Sequence, residues 1–323
     1  MPGLKKQPEG YVFTSYGKPK YLRDVLVAVD AIRRYDQKRP VALYCSHEHA
    51  TEIRKLGFGH WFAQILDLPV ENRSIVGFKH QLYRFMPFER NLYLDSDMIW
   101  CRNPDPLWHI MQPFGFTLTG SESADVFFGA PKSFGIATDI LLRRRQRTLR
   151  RFGLTHLYRV QSGFIFAADP ELTRRVCEQA SAFLARMDET HFISRTNERN
   201  RTLESCEWSL GMAMSRLGLY VMPWFNGYES AQLDYIRYLT HHNEDFTEVA
   251  CKYYCNPFIY SLRGIQRPWM HELLRSLFWI LPRSGDHIWV RPYVLHFGWG
   301  HEKQAFSIYA EKRWAQLIGQ PEP

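Results

Sequence analysis

A chain of 323 residues is longer than the usual single domain but within the size of one large α/β enzyme. Its 45% hydrophobic and 15% aromatic content supplies a sizeable core and excludes wholesale disorder. A net charge of +8 and an isoelectric point of about 9.1 favour anionic partners such as a nucleotide, a phosphorylated acceptor or an acidic membrane surface. Nucleic acid suits the charge too, but no nucleic-acid-binding motif is present.

Residues 1–9 read as a disordered tail, basic and without the apolar segment of a signal peptide. Gly10 to Gly17 is a β-rich run ending in small and polar residues. From Tyr21 to Arg34, Leu22, Val25, Leu26, Val29 and Ile32 recur at helical spacing. Pro40 to Ser46 is a second strand, and Ser46 or His47 opens a helix that runs through Leu56 and stops at Gly57. An apolar cluster spans Trp61 to Leu68, and Ser74 to Phe78 reads as a third short strand. The fourth, Leu92 to Leu94, runs straight into Asp95 and Asp97. Strand–helix alternation at this spacing implies right-handed βαβ units and a largely parallel sheet.

Further along, Phe114 to Thr119 reads as a strand and Ile140 to Phe152 as one helix bearing Arg143, Arg144, Arg145, Arg147, Arg150 and Arg151. Such a run is a solvated basic face or, functionally, a patch for acceptor or lipid phosphates; the 143–151 stretch is the expected contact with an anionic membrane surface. Val160 to Ala167 is a strand broken by small residues, where a ligand can approach the backbone. Helices follow over Pro170 to Met187 and Leu203 to Leu217. His241 to Ser284 is aromatic-rich and resists assignment. Val294 to His301 reads as a strand end breaking into glycines, followed by an amphipathic helix to about Leu317. The best candidate for a span, Leu273 to Leu281, is well short of the ~20 residues that cross a bilayer, contains Arg275 and stops at Pro282. Six cysteines without a zinc-site pattern read as reduced, structural thiols. A cytoplasmic protein is expected.

Asp95-Ser96-Asp97 concentrates the chemistry. Residues two apart on a strand share a face, so both carboxylates are expected to point the same way, beyond the carboxyl end of a strand where α/β sheets bind ligands. Like charges held this close need compensation, and a divalent metal carrying phosphates is the simplest source. The competing reading is a polar turn with two solvated aspartates.

Several landmarks in the same order resemble the GT-A type glycosyltransferases, the nucleotide-diphospho-sugar transferases. They are Phe13-Thr14-Ser15-Tyr16-Gly17, a Lys79-bearing segment, and the strand running through Asn91-Leu92-Tyr93-Leu94 into Asp95-Ser96-Asp97. Two more follow, Gln161-Ser162-Gly163-Phe164-Ile165 and the late Leu295-His296-Phe297-Gly298. Gln161 stands where Asn or Asp is common. Gly298-Trp299-Gly300-His301-Glu302-Lys303 replaces the Lys-Pro-Trp that often trails the histidine in glycogenin-like members.

The resemblance implies a Rossmann-like α/β fold with a mostly parallel, mixed central sheet flanked by helices. It implies one domain over 10–323, with a nucleotide-binding half (10–110), then an acceptor-side half and C-terminal segment (111–323). The activity it implies is metal-dependent transfer of a sugar, hexosyltransferase-like, from a nucleotide-diphosphate donor to a hydroxyl. A UDP-sugar is the family-level donor; the acceptor is a carbohydrate, a lipid-linked molecule or a protein. Asp95, Asp97 and His296 would hold Mn2+ or Mg2+, an oxygen/nitrogen set unlike the thiolate sites of zinc. Thr14, Tyr16, Lys79, Asp95, Ser96, Asp97, Ser162, Gly163 and Lys303 would contact the nucleotide sugar. Asp125, Gln161 and Glu207 are the candidate catalytic residues, and Asp125 or Glu207 would serve as base in an inverting reaction. A retaining outcome stays open, as do two other readings: a sugar-phosphate nucleotidyltransferase and a non-catalytic carbohydrate- or phosphate-binding protein on the same fold.

Overall fold

The run Val41-Ala42-Leu43-Tyr44-Cys45 has no charged residue, and it forms a strand buried along its whole length, as a strand covered on both faces must be. It belongs to a computed structural model that describes residues 7–125, 128–129, 135–194 (backbone only at 135–136), 196, 204–222 and 228–319. In chain order its strands are β1 (Glu9–Ser15), β2 (Val41–Cys45), β3 (Gln64–Asp67), β4 (Arg90–Leu94), β5 (Met98–Trp100) and β6 (Phe116–Ser121). Then come β7 (Arg159–Ala167), β8 (Glu229–Asp234), β9 (Thr240–His242), β10 (Val249–Tyr254) and β11 (His287–His296). The chain divides into two compact units. One comprises Met1–Val12, Pro40–Leu94 and Met111–Met222; the other comprises Phe13–Arg39, Asp95–Ile110 and Pro223–Pro323.

The first unit is built on a six-stranded sheet of order β3-β2-β1-β4-β7-β6. The pairs β2–β3 and β1–β4 are parallel, while β7 runs antiparallel to both β4 and β6. This mixed, mostly parallel α/β sheet flanked by helices is the expected fold class. Gly10 sits where β1 passes Phe88, and a Cβ there would lie 2.5 Å from the ring, so only glycine lets strand and ring meet. Helices Pro170–Leu184 and Glu207–Leu217 pack on one another and on this sheet's neighbourhood, burying Val176, Phe183, Trp208, Leu210 and Met212.

In the second unit β11 is the central strand. It pairs antiparallel with β5 and β10 and parallel with β8, and β9 completes the sheet beside β10. Helix Pro19–Arg33 buries Leu22, Val25, Leu26, Val29 and Ile32, and packs on β5 and on helix Lys303–Leu317. Arg313 ties the two helices together, its Nε 2.6 Å and its Nη2 3.0 Å from the carboxylate oxygens of Asp30, a two-pronged bridge that fixes their relative position.

Several expectations are corrected. Ser74–Phe78 is not a strand: Ile75–Lys79 is a short helix, because the Ser74 hydroxyl accepts from Gly77 N at 2.8 Å and caps it. The third strand of the sheet is Gln64–Asp67 instead. The Arg-rich helix is broken into Gly135–Leu141 and Arg144–Arg151, since Arg143 adopts a left-handed φ of 50° that no helix continues through. The helix expected from Leu203 begins at Glu207; Leu203 itself and residues 1–6 of the expected tail lie outside the described residues. The unassigned 241–284 stretch holds β10 and helices Pro257–Ser261 and Pro268–Leu277. No helix among the described residues is long and apolar enough to cross a membrane.

Candidate functional site

Strand β4 ends at Leu94, and Asp95-Ser96-Asp97 forms the turn before β5. The two carboxylates are therefore not brought together by a shared strand face, as expected, but by a turn between strands of different sheets. The turn is held from the far end of the chain, where Phe297 N donates to the Asp97 carbonyl at 3.0 Å.

Register then assembles the rest. On β11, His296 stands opposite Met98 of β5 and opposite Asp234, the last residue of β8. Its ring is thereby set between the Asp97 turn on one side and Asp234 on the other. Nδ1 of His296 lies 3.0 Å from Asp234 Oδ1, and Nε2 lies 3.6 Å from Asp97 Oδ1. One ligand atom from each of Asp95, Asp97 and His296 lies within 4.8 Å of the others. Trp299 Nε1 donates to the second Asp234 oxygen at 3.0 Å, so the carboxylate behind the histidine is itself held. Gly298 is required here: a Cβ would meet His296 Cε1 at 2.4 Å and both ring nitrogens at 3.0 Å.

Lys303 opens helix Lys303–Leu317 and places Nζ 2.9 Å from Asp97 Oδ2. The negative charge of Asp97, outweighing desolvation, raises the lysine's pKa above its ordinary value. For His296, burial pulls the pKa down, but the hydrogen bond to Asp234 and the charges of Asp97, Asp234 and Asp95 outweigh it and raise it to about 9. Asp24, on the helix before, is raised to about 6 by burial, against Lys20 and Arg23, with Asp97 adding to the effect. The second unit thus gathers several carboxylates around one imidazole and one lysine.

The donor set fits a hard divalent ion. Two carboxylates and one imidazole suit Mn2+ or Mg2+, with other oxygens completing the shell. An imidazole whose Nδ1 side is engaged by a carboxylate presents Nε2 toward the other ligands, the arrangement that orients metal-bound histidines generally.

Thr14 and Tyr16, at the end of β1 and just beyond it, are half-buried residues of this same unit, and Ser96 lies in the turn itself. The remaining candidates belong to the first unit. Lys79 is only 3% exposed; Nζ donates to Ser162 Oγ at 3.3 Å and sits 5.3 Å from the centroid of the Tyr93 ring. Ser162 also accepts from Cys206 Sγ at 3.2 Å, and Gly163 follows it on β7. Gln161 is half-buried on β7, its carbonyl accepting from Thr119. Asp125 forms an ion pair with Arg159 at 3.1 Å, and Glu207 is the half-buried first residue of its helix. Neighbouring Trp208 is core, stacked on Phe192 at 4.7 Å between centroids.

Sequence reasoning missed Asp234, Trp299 and Asp24. For Asp234 a signal exists: Ser230, Gln232 and Asp234 alternate with Ala231 and Leu233, so a second strand ends in a carboxylate, as the first runs into Asp95.

No family model and no curated protein matches the chain. Solved structures of glycosyltransferases are similar to it in fold. GlyE of Streptococcus pneumoniae TIGR4 shares 12% identity at a TM-score of 0.47, over 98% of this chain. The galactosyltransferase LgtC, solved with donor and acceptor sugar analogs, shares 12% identity at 0.48, over 96% of this chain and 95% of its own. The bifunctional glycosyltransferase WbbM shares 10% at 0.48, over 99% of this chain. The chain spans 63% of the GlyE chain and 52% of the WbbM chain.

Proposed function

We propose that the protein is a divalent-metal-dependent glycosyltransferase that moves a sugar from a nucleoside-diphosphate donor to a hydroxyl acceptor. The observation that carries this reading is the convergence of Asp95, Asp97 and His296, with His296 held by Asp234. In this reading those three residues hold Mn2+ or Mg2+, which when bound neutralises the charge developing on a diphosphate leaving group.

The chain's own residues do the rest. Asp234 fixes the ring so that Nε2 faces the two aspartates. Trp299 holds Asp234 against rotation. Lys303, paired with Asp97 here, would supply a cation for the diphosphate. Thr14 and Tyr16 are assigned to the nucleoside. In the first unit, Lys79, Ser162 and Gly163 keep the donor roles, and Asp125, Gln161 and Glu207 the sugar and acceptor roles, that the sequence resemblance implies.

One observation favours a second reading, a non-catalytic phosphate- or carbohydrate-binding protein. Lys303 already neutralises Asp97 at 2.9 Å, and a lysine can substitute for a metal in balancing a carboxylate. Donor hydrolysis decides between them. The protein is incubated with a panel of nucleotide sugars and Mn2+, and released nucleoside diphosphate is measured. Release is expected with at least one donor, falling by roughly a thousandfold in Asp97→Ala as the charge-stabilising group is lost. No release from any donor, or release indifferent to Asp97→Ala, sinks the transferase reading.

A further inference from the structure

Between β10 and β11 the second unit carries an apolar surface that the site chemistry does not use. Helix Pro268–Leu277 packs inward through fully buried His271 and through Leu274, the latter on a cluster of Ile236, Leu239, Tyr254, Ile259 and Leu262. Its outward side is apolar as well. Trp269, Leu273 and Leu277 stand four residues apart, which sets them in one stripe, and they are 59%, 50% and 63% exposed. The chain continues outward with Phe278, Trp279 and Ile280, the last two 71% and 75% exposed, before Pro282. Single exposed apolar residues are ordinary, but a contiguous group of this kind marks a contact surface. Glu272, Arg275 and Ser276 lie outside this stripe and give the helix a polar side as well.

The chemistry at the edges selects the occupant. Arg267 and Arg283, both exposed, bracket the stripe, and the whole chain carries +8. Tryptophans at both ends of a short apolar segment, flanked by arginines, match the headgroup layer of a bilayer, where indole rings sit at the boundary and guanidinium groups meet lipid phosphates. The segment from Trp269 to Ile280 is far too short to span the ~30 Å hydrocarbon core, so it lies in the plane of the surface. We propose that this segment docks the protein in-plane on an anionic lipid bilayer. The inference stands on this surface alone and does not depend on the glycosyltransferase reading.

The test is cosedimentation of the full chain with phosphatidylcholine vesicles, with and without phosphatidylglycerol, read together with quenching of tryptophan fluorescence by brominated lipid. Binding is expected to the anionic vesicles, weakening as salt rises. A Trp269→Ser/Trp279→Ser variant should lose about tenfold or more in partitioning and most of the quenching, at an unchanged melting temperature. If that variant fails to fold, Leu277→Gln/Ile280→Gln serves as the second probe, with the same loss expected. The proposal is overturned by absence of binding to anionic vesicles. It is equally overturned by undiminished binding of a folded variant, which would assign the contact to another surface such as the arginines of 143–151. A wild-type dimer in sedimentation that the variant dissociates would overturn it too, in favour of a second copy as occupant.

Discussion

Each unit of the molecule has a polar centre beside a strand end, and the two are built on opposite principles. In the first, Lys79 is buried, capped by the Ser162 hydroxyl and the Tyr93 ring, with Cys206 donating to the same hydroxyl. A buried cation is thus held by a hydroxyl and the face of a ring. In the second, Asp95, Asp97 and Asp234 gather around His296, with Lys303 paired to Asp97. Carboxylates grouped around one imidazole form a donor set that suits a divalent cation, the role proposed for this centre. The difference separates a buried cation held by a hydroxyl and a ring from a group of carboxylates that, in the proposed reading, takes up a cation.

In the proposed reading proton and metal compete for His296, and this gives the largest expected effect. With its pKa raised to about 9 by Asp234, Asp97 and Asp95 against the pull of burial, the ring is protonated at neutral pH and must lose that proton to ligate. Mn2+ affinity should therefore rise by up to about tenfold per pH unit, roughly a hundredfold from pH 7 to 9, and level off above. The metal-free protein shows the reverse trend. Because the folded-state pKa lies above the ordinary 6.5, this group's stabilisation is complete below about pH 6.5 and is lost as pH climbs through 9. Calorimetric Mn2+ titration at stepped pH, with melting in chelator as its mirror, checks both signs. An affinity that falls with pH would break the contrast between the centres.

A narrower break is Asp234→Asn, which keeps the shape but removes the charge behind the ring. Loss of an outer partner of this kind costs about ten- to a hundredfold in metal affinity. The variant should also lower the His296 pKa, so its metal-free stability should vary less between pH 6.5 and 9. Unchanged Mn2+ affinity in this variant would leave Asp234 as a packing residue.

How much of this was legible in the chain depends on how far each interaction reaches. Helix Pro19–Arg33 and strands β2, β4 and β7 follow from local periodicity. Ile75–Lys79 was lost because a serine cap decided a segment whose apolar residues alone suggest a strand. The Arg-rich helix broke at Arg143 for reasons of backbone that no period shows. At the site, Asp95 and Asp97 stand out through adjacency, and His296 through the glycines after it. Asp234 stayed hidden because its partner is 62 residues away, through a parallel pairing of β8 with β11 that sequence spacing cannot express. The turn at Asp95–Asp97 reads as a continuation of the strand because the change of sheet at β5 is decided by β11, nearly two hundred residues on.

The smallest effect is expected in the first unit, and it is the one that tests whether the two centres are independent. Ser162→Ala removes the acceptor of both Lys79 and Cys206. A buried lysine deprived of one hydrogen-bond partner costs about 1–3 kcal/mol, and the Tyr93 ring, still 5.3 Å from Nζ, keeps the loss toward the low end. Stability should therefore fall by about 1 kcal/mol by chemical denaturation, while Mn2+ affinity in the second unit stays as it was. A variant that keeps its stability but loses Mn2+ would mean that the first centre, too, answers to the cation, and the distinction between the two centres would fail. If stability drops and Mn2+ binding holds, the cation affinity proposed for Asp95, Asp97 and His296 is a property of the second unit by itself.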